Sequence, residues 1–202
     1  MVCQMITFVS NLPPQGSGMA EILRLDSDLV TCKEHLVARY LTMLADCRLL
    51  TMESIKNLRF DLLYWRRNDF DSNIGDLLYH IAYIEADWLF TDVLEGSVPA
   101  DLRQQLSYDD RDNHGKLVHI GEEELESSLS RLSTVRAKLN ETYAKMNMAD
   151  FRRLRHSEKY DVSPEWVLHH LLQHEAEHRG QINLLKRLGT EMKGKSFGTG
   201  QR

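Results

Sequence analysis

Proline is scarce in this chain, with four in 202 residues at Pro13, Pro14, Pro99 and Pro164. Long helices are therefore allowed wherever apolar spacing supports them. Cysteine is scarce too. Cys3, Cys32 and Cys47 show no CxxC spacing and leave an odd one over, which argues against a disulfide framework and for reduced thiols in a cytoplasmic setting. No apolar run approaches the roughly eighteen residues of a membrane span. The opening MVCQMITFVSNLPPQGSGM lacks the basic start of a signal peptide. A cationic excess is missing as well: the formal charge of −5 speaks against a general nucleic-acid binder. A cytoplasmic protein with no membrane and no nucleic-acid partner is expected, long enough for one core.

The chain divides by composition. Residues 1–33 contain "NLPPQGSG", a linker by its prolines, glycines and small polar residues, and read as a loosely held N-terminal extension. Residues 34–190 carry four amphipathic helical segments, and 191–202 read as a polar tail. Val37, Leu41, Leu44, Arg48, Thr51, Ile55 and Leu58 track one face of the first segment, with a weakly polar middle. "SNIGD" opens the second, with Asn73 as N-cap and Asp76 placed to complete a capping box. Leu77, Ile81, Ile84 and Trp88 follow, and Gly96 stops it. The third begins near Glu123 and runs through Leu125, Leu129, Leu132, Val135, Leu139 and Met146. "SPEW" opens the fourth, with Ser163 as cap and Pro164 at the first helical position, and Gly189 is expected to end it. The connection 97–121 is long, with a short helical turn after Pro99, and allows a crossover. The fold class expected is all-α, a four-helix bundle in which the second and third helices need not be antiparallel neighbours.

The fourth segment carries the chemistry. In "PEWVLHHLLQHEAEHRGQINLLKRLG", Val167, Leu171, His174, His178, Ile182 and Leu185 fall on one stripe, so two histidines occupy the core side. Four residues apart, they stand about 6 Å from each other along the axis and can converge on one ion. His80 lies between Leu77 and Ile84 on the apolar side of the second segment. A single inward histidine is more often a hydrogen-bonded core residue. Three in one small core would each need a polar partner, and a shared metal satisfies all of them.

"HEAEHRG" also matches HExxH, the zinc-protease string. The reading fails on its third ligand. No histidine follows His178, and Glu191, the one acid downstream, falls in what reads as a glycine-rich tail without a helix to hold it. The third ligand must come from upstream, where His80 is the candidate.

"SNIGDLLYHIAYIEADWLF", followed about ninety residues later by "WVLHHLLQHEAEHRGQI", closely resembles the DinB/YfiT-like superfamily, from about Ala38 to Leu188. The resemblance implies a four-helix bundle with a crossover, usually a homodimer, and one divalent metal, commonly zinc or nickel, held by three histidines. Matched residue by residue, these are His80, His174 and His178. Relatives include transferases and isomerases that use low-molecular-weight thiols such as bacillithiol or mycothiol, and others described as metal-dependent hydrolases. The resemblance thus implies a thiol transferase or hydrolase acting on a small electrophilic substrate. A non-catalytic stress-associated or sensor module with a structural metal site is the alternative.

Around the ligands, Glu175 is within reach of a general base's role, although a solvated or dimer-facing carboxylate is the preferred reading. His170 borders the site or the core, and His169 points outward. Arg179 and Gln181 are expected to make interhelical bonds or bonds to the ligands, with Arg179 as a substrate-anion clamp the weaker idea. Glu85 and Asp87 read as surface charges. Tyr79, Tyr83, Trp88 and Trp166 read as core or interface rather than a cofactor box.

Overall fold

The computed structural model describes residues 31–68 and 72–198, the last five of these as backbone only. The expected loose extension lies outside the described residues up to position 30. Four long helices form the body: α1 (His35–Ile55), α3 (Ile74–Asp87, continued by a π-helical turn over Trp88–Val93), α5 (Leu125–Ala144) and α7 (Pro164–Gly198). Between them lie the short helices α2 (Phe60–Leu63), α4 (Ala100–Gln105) and α6 (Met148–Arg152). A two-residue-per-strand hairpin, β1 (Arg155–His156) and β2 (Asp161–Val162), precedes α7.

The helix starts follow from local chemistry. Asn73 Oδ1 accepts from the Asp76 amide at 2.9 Å while Asp76 Oδ2 accepts from the Asn73 amide at 3.0 Å, so the capping box forms as read from the sequence. Ser163 Oγ accepts from the Trp166 amide at 3.2 Å, and Pro164 is the first residue of α7. The third bundle helix begins two residues later than expected because Glu123 is drawn aside by Arg131, at 2.8 and 2.9 Å. At the end of the π-helical turn, Glu95 rather than Gly96 takes the left-handed conformation, at φ 52°.

Side-chain pairs give the helix directions. Glu85 meets Arg136, and Asp76 meets Ile120 just ahead of α5, so α3 and α5 run parallel. Arg48 meets Glu175 and Lys186 reaches the Ser54 carbonyl, so α1 and α7 are parallel as well. His80 meets His174 while Trp88 meets Trp166, which sets α3 antiparallel to α7. Two parallel helices consecutive in the bundle require a crossover, and residues 97–121, carrying α4, supply it. The core holds Leu41, Leu44, Ile74, Leu77, Leu78, Ile81, Leu132, Val135, Leu139, Tyr143 and Val167, all at most 2 % exposed.

The expected stop at Gly189 is not a stop. α7 continues to Gly198, through the segment read as a polar tail. A Cβ at position 189 would lie 3.0 Å from Leu62 Cδ2 and from two atoms of the Trp65 ring. The glycine marks a close approach of α2 and Trp65 to the helix. Lys193 fastens the extra turns by binding the Asp61 carboxylate at 2.6 Å and the Asp61 carbonyl at 2.9 Å. Among the described residues, no helix is long and apolar enough to cross a membrane.

Candidate metal centre

His174 and His178, one turn apart on α7, face His80 on α3. His174 Nε2 lies 3.1 Å from His80 Nε2 and 3.1 Å from His178 Nε2. A ligand atom from each ring falls within 4.8 Å of the others, so the three could hold a metal ion. His80 is buried and the other two are half-buried.

The outer nitrogens decide what the inner ones can do. His80 Nδ1 contacts Asp110 Oδ1, and His178 Nδ1 lies 2.9 Å from Gln181 Oε1. Each partner is an acceptor oxygen, so the ring hydrogen sits on Nδ1 and the Nε2 lone pair points into the cluster. Two such lone pairs then face His174 Nε2. A single proton on His174 can satisfy one of them, not both. A cation at the focus satisfies all three, and imidazole nitrogen suits zinc or nickel. The residues present therefore fit a divalent ion.

Burial, with the neighbouring His178 and His80 adding to it, pulls the His174 pKa down to about 3. Burial also lowers that of His178. Both rings are neutral near pH 7, the state in which imidazole acts as a ligand.

Next to the cluster runs a ladder of rings. His170 lies 5.8 Å from His174, Trp166 stacks on His170 at 5.1 Å with 7° between planes, and Trp88 packs on both. Trp166 is 47 % exposed. His170 and Trp166 extend along α7 from His174; His169 is exposed, as expected.

Glu175 is not the solvated or dimer-facing carboxylate preferred from the sequence. Its carboxylate is 1 % exposed and turned into the bundle. It accepts from Arg48 Nε at 2.6 Å and from Arg136 Nη2 at 2.9 Å. Glu85, read as a surface charge, is buried beside it and accepts from Arg136 Nε at 2.6 Å and Arg48 Nη2 at 2.9 Å. Burial alone would raise the Glu175 pKa, but the two guanidiniums outweigh it and bring the carboxyl down to about 2. A carboxylate so weakly basic, with its oxygens committed, is not poised as a general base. Nη1 of each arginine reaches a backbone carbonyl, Arg48 that of Leu132 at 3.1 Å and Arg136 that of Leu44 at 2.9 Å. Each long helix contributes one member of this quartet.

Two further expectations resolve. Arg179 holds the Cys47 carbonyl at 3.2 Å and Sγ at 3.4 Å, an interhelical bond rather than an anion clamp. Gln181 Oε1 lies 2.9 Å from His178 Nδ1, so it bonds to a ring of the cluster. Asp110, Glu85 and Arg136 were missed. A signal existed for the quartet, since Arg48 sits in an otherwise apolar stripe and demands a buried anion. For Asp110, inside the long connection, periodicity offers no signal.

The protease reading fails for a second reason. Glu191 stands on α7 itself, thirteen residues beyond His178, which is about 20 Å along a straight helix. It cannot share an ion with that ring.

A comparison with curated proteins finds no match. A family model for the DinB superfamily matches residues 43–182, a span that contains all three histidines and all four long helices in whole or in part. The chain belongs to the DinB superfamily.

Proposed function

We propose that His80, His174 and His178 hold one divalent ion, zinc or nickel, and that the protein uses it on a small electrophilic substrate as a thiol S-transferase or hydrolase. One observation carries the reading: three Nε2 atoms converge while the outer nitrogens of His80 and His178 are engaged by acceptors. When bound, the ion would supply Lewis acidity, which lowers the pKa of a low-molecular-weight thiol or of water. The rings of His174 and His178 are half-buried. Trp88, His170 and Trp166 offer an apolar wall on which an organic substrate can lie. Glu175 takes no part as base; it fixes the rotation of α7 next to His174. The reading takes the protein as a cytoplasmic homodimer.

The test is a screen of the zinc- and nickel-loaded protein with bacillithiol, mycothiol and glutathione against a panel of electrophiles, with hydrolysis followed in parallel. Turnover that His174→Ala abolishes, in a variant that keeps its fold, supports the reading. No turnover with any thiol or water, together with a sharp fall in melting temperature for His174→Ala, would favour a structural centre.

A further inference from the structure

The crossover between α3 and α5 is attached to α3 at three successive places. Asp76 accepts from His119 Nδ1 at 2.7 Å and from the Ile120 amide at 3.1 Å. Tyr79 Oη donates to the Tyr108 carbonyl at 2.8 Å and accepts from the Tyr108 amide at 2.9 Å. His80 Nδ1 meets Asp110 Oδ1.

The segment around Asp110 is built to hold it. Val118 donates its amide to the Asp110 carbonyl at 3.2 Å, and Arg111 pairs with Leu117 in an isolated antiparallel bridge. Asp112 Oδ1 closes the turn by accepting from the His114 and Lys116 amides at 2.8 and 2.9 Å. Arg111 Nε takes the other Asp110 oxygen at 3.3 Å, which leaves Oδ1 for the histidine.

From this geometry we propose that Asp110 is a positioning residue for the metal centre, acting through His80. It holds the ring hydrogen on Nδ1, aims Nε2 at the focus shared with His174 and His178, and raises the basicity of that nitrogen. A carboxylate behind a ligating imidazole typically alters metal affinity by about 10–100-fold. The inference rests on the three-histidine centre proposed above, and it gives the crossover a purpose: the loop that connects two parallel helices also orients a ligand on the first of them.

Competition of Zn2+ between the protein and a chromophoric chelator, with long-range 15N NMR of the histidine rings in the metal-free protein, tests it in wild type, Asp110→Ala and Asp110→Asn. In wild type, His80 is expected as the Nδ1–H tautomer. Asp110→Ala should shift it towards Nε2–H and weaken zinc binding by about 10–100-fold. Asp110→Asn keeps an acceptor but loses the charge, so it should retain the tautomer and bind with intermediate affinity. If Asp110→Ala does not fold, the asparagine variant decides, and wild-type zinc affinity in it overturns the proposal. In Asp110→Ala, weaker binding with an unchanged His80 tautomer would mean that Asp110 only braces the loop, which also overturns the proposal. Absence of zinc binding in wild type would instead remove the centre itself, and this inference with it.

Discussion

Two polar clusters lie inside the same apolar bundle, one turn or less apart on α7, and they are opposites. The quartet Arg48, Glu85, Arg136 and Glu175 is closed: two cations meet two anions, and leftover guanidinium donors reach backbone carbonyls. The histidine cluster is not closed: three Nε2 atoms converge, at most one of the two lone pairs facing His174 can be met by its proton, and His174 and His178 are half-buried. A buried polar group costs stability unless it is paired. The quartet supplies its own pairs, so nothing more needs to bind there. The histidines lack a counterpart of opposite sign at their focus, which is the mark of a ligand site. Adjacent residues, His174 and Glu175, belong to different clusters because one step along a helix turns the side chain by about 100°.

The contrast can be broken most severely at the quartet. Arg136→Met leaves Glu85 and Glu175 buried with half their partners gone, and a loss of about 3–5 kcal/mol is expected in urea unfolding. A loss below 1 kcal/mol would mean that the carboxylates relax to water and that the quartet is not closed. Replacing all four members by apolar residues of similar volume should do far less harm. Neutrality, or a gain of about 1–4 kcal/mol, is expected because no charge is left stranded. If the fourfold variant is as unstable as the single one, complementarity is not what sustains the cluster.

At the histidines the effect should come from added ligand. Zinc at a hundred times its dissociation constant stabilises the native state by about 2.7 kcal/mol. His174→Ala should lose this gain while its metal-free stability changes little. A zinc-independent fall in melting temperature of equal size would place the histidines in the same structural category as the quartet.

The smallest effect expected lies away from both clusters. Burial would raise the Glu123 carboxyl, but hydrogen bonds from Arg131 and Ser128 outweigh it and hold the pKa below its usual 4.5. The folded value is depressed, so the contribution is complete above 4.5 and fades as pH falls through the lower folded value. The pair is partly exposed and is worth at most about 1 kcal/mol. Glu123→Gln should flatten the acid side of the stability profile, and a profile that superposes on wild type would deny the pair that role.

Much of the site was legible before the fold. His174 and His178 are four apart on an apolar stripe, His80 breaks another, and "SNIGD" and "SPEW" announce where their helices begin. The spacing within one helix carries this information. The remainder depends on which helices meet. Glu85 reads as a surface charge because its partners lie 37 and 51 residues away on other helices. Asp110 sits in a connection with no period to read. Gly189 looks like a terminator until Leu62 and Trp65 are seen against it. The long connection only allowed a crossover, which the family resemblance implied, whereas the four-helix bundle followed from segment count. The registers of the helices, which decide what Glu175 touches, did not.

The central claim concerns the ion. Titration of Co2+ or Zn2+ into the metal-free protein, read by calorimetry and by the visible spectrum of cobalt, addresses it most directly. One ion per chain, imidazole ligation, and a loss of binding by orders of magnitude in His80→Ala are expected. Absence of binding, or binding that His80→Ala leaves intact, would contradict it.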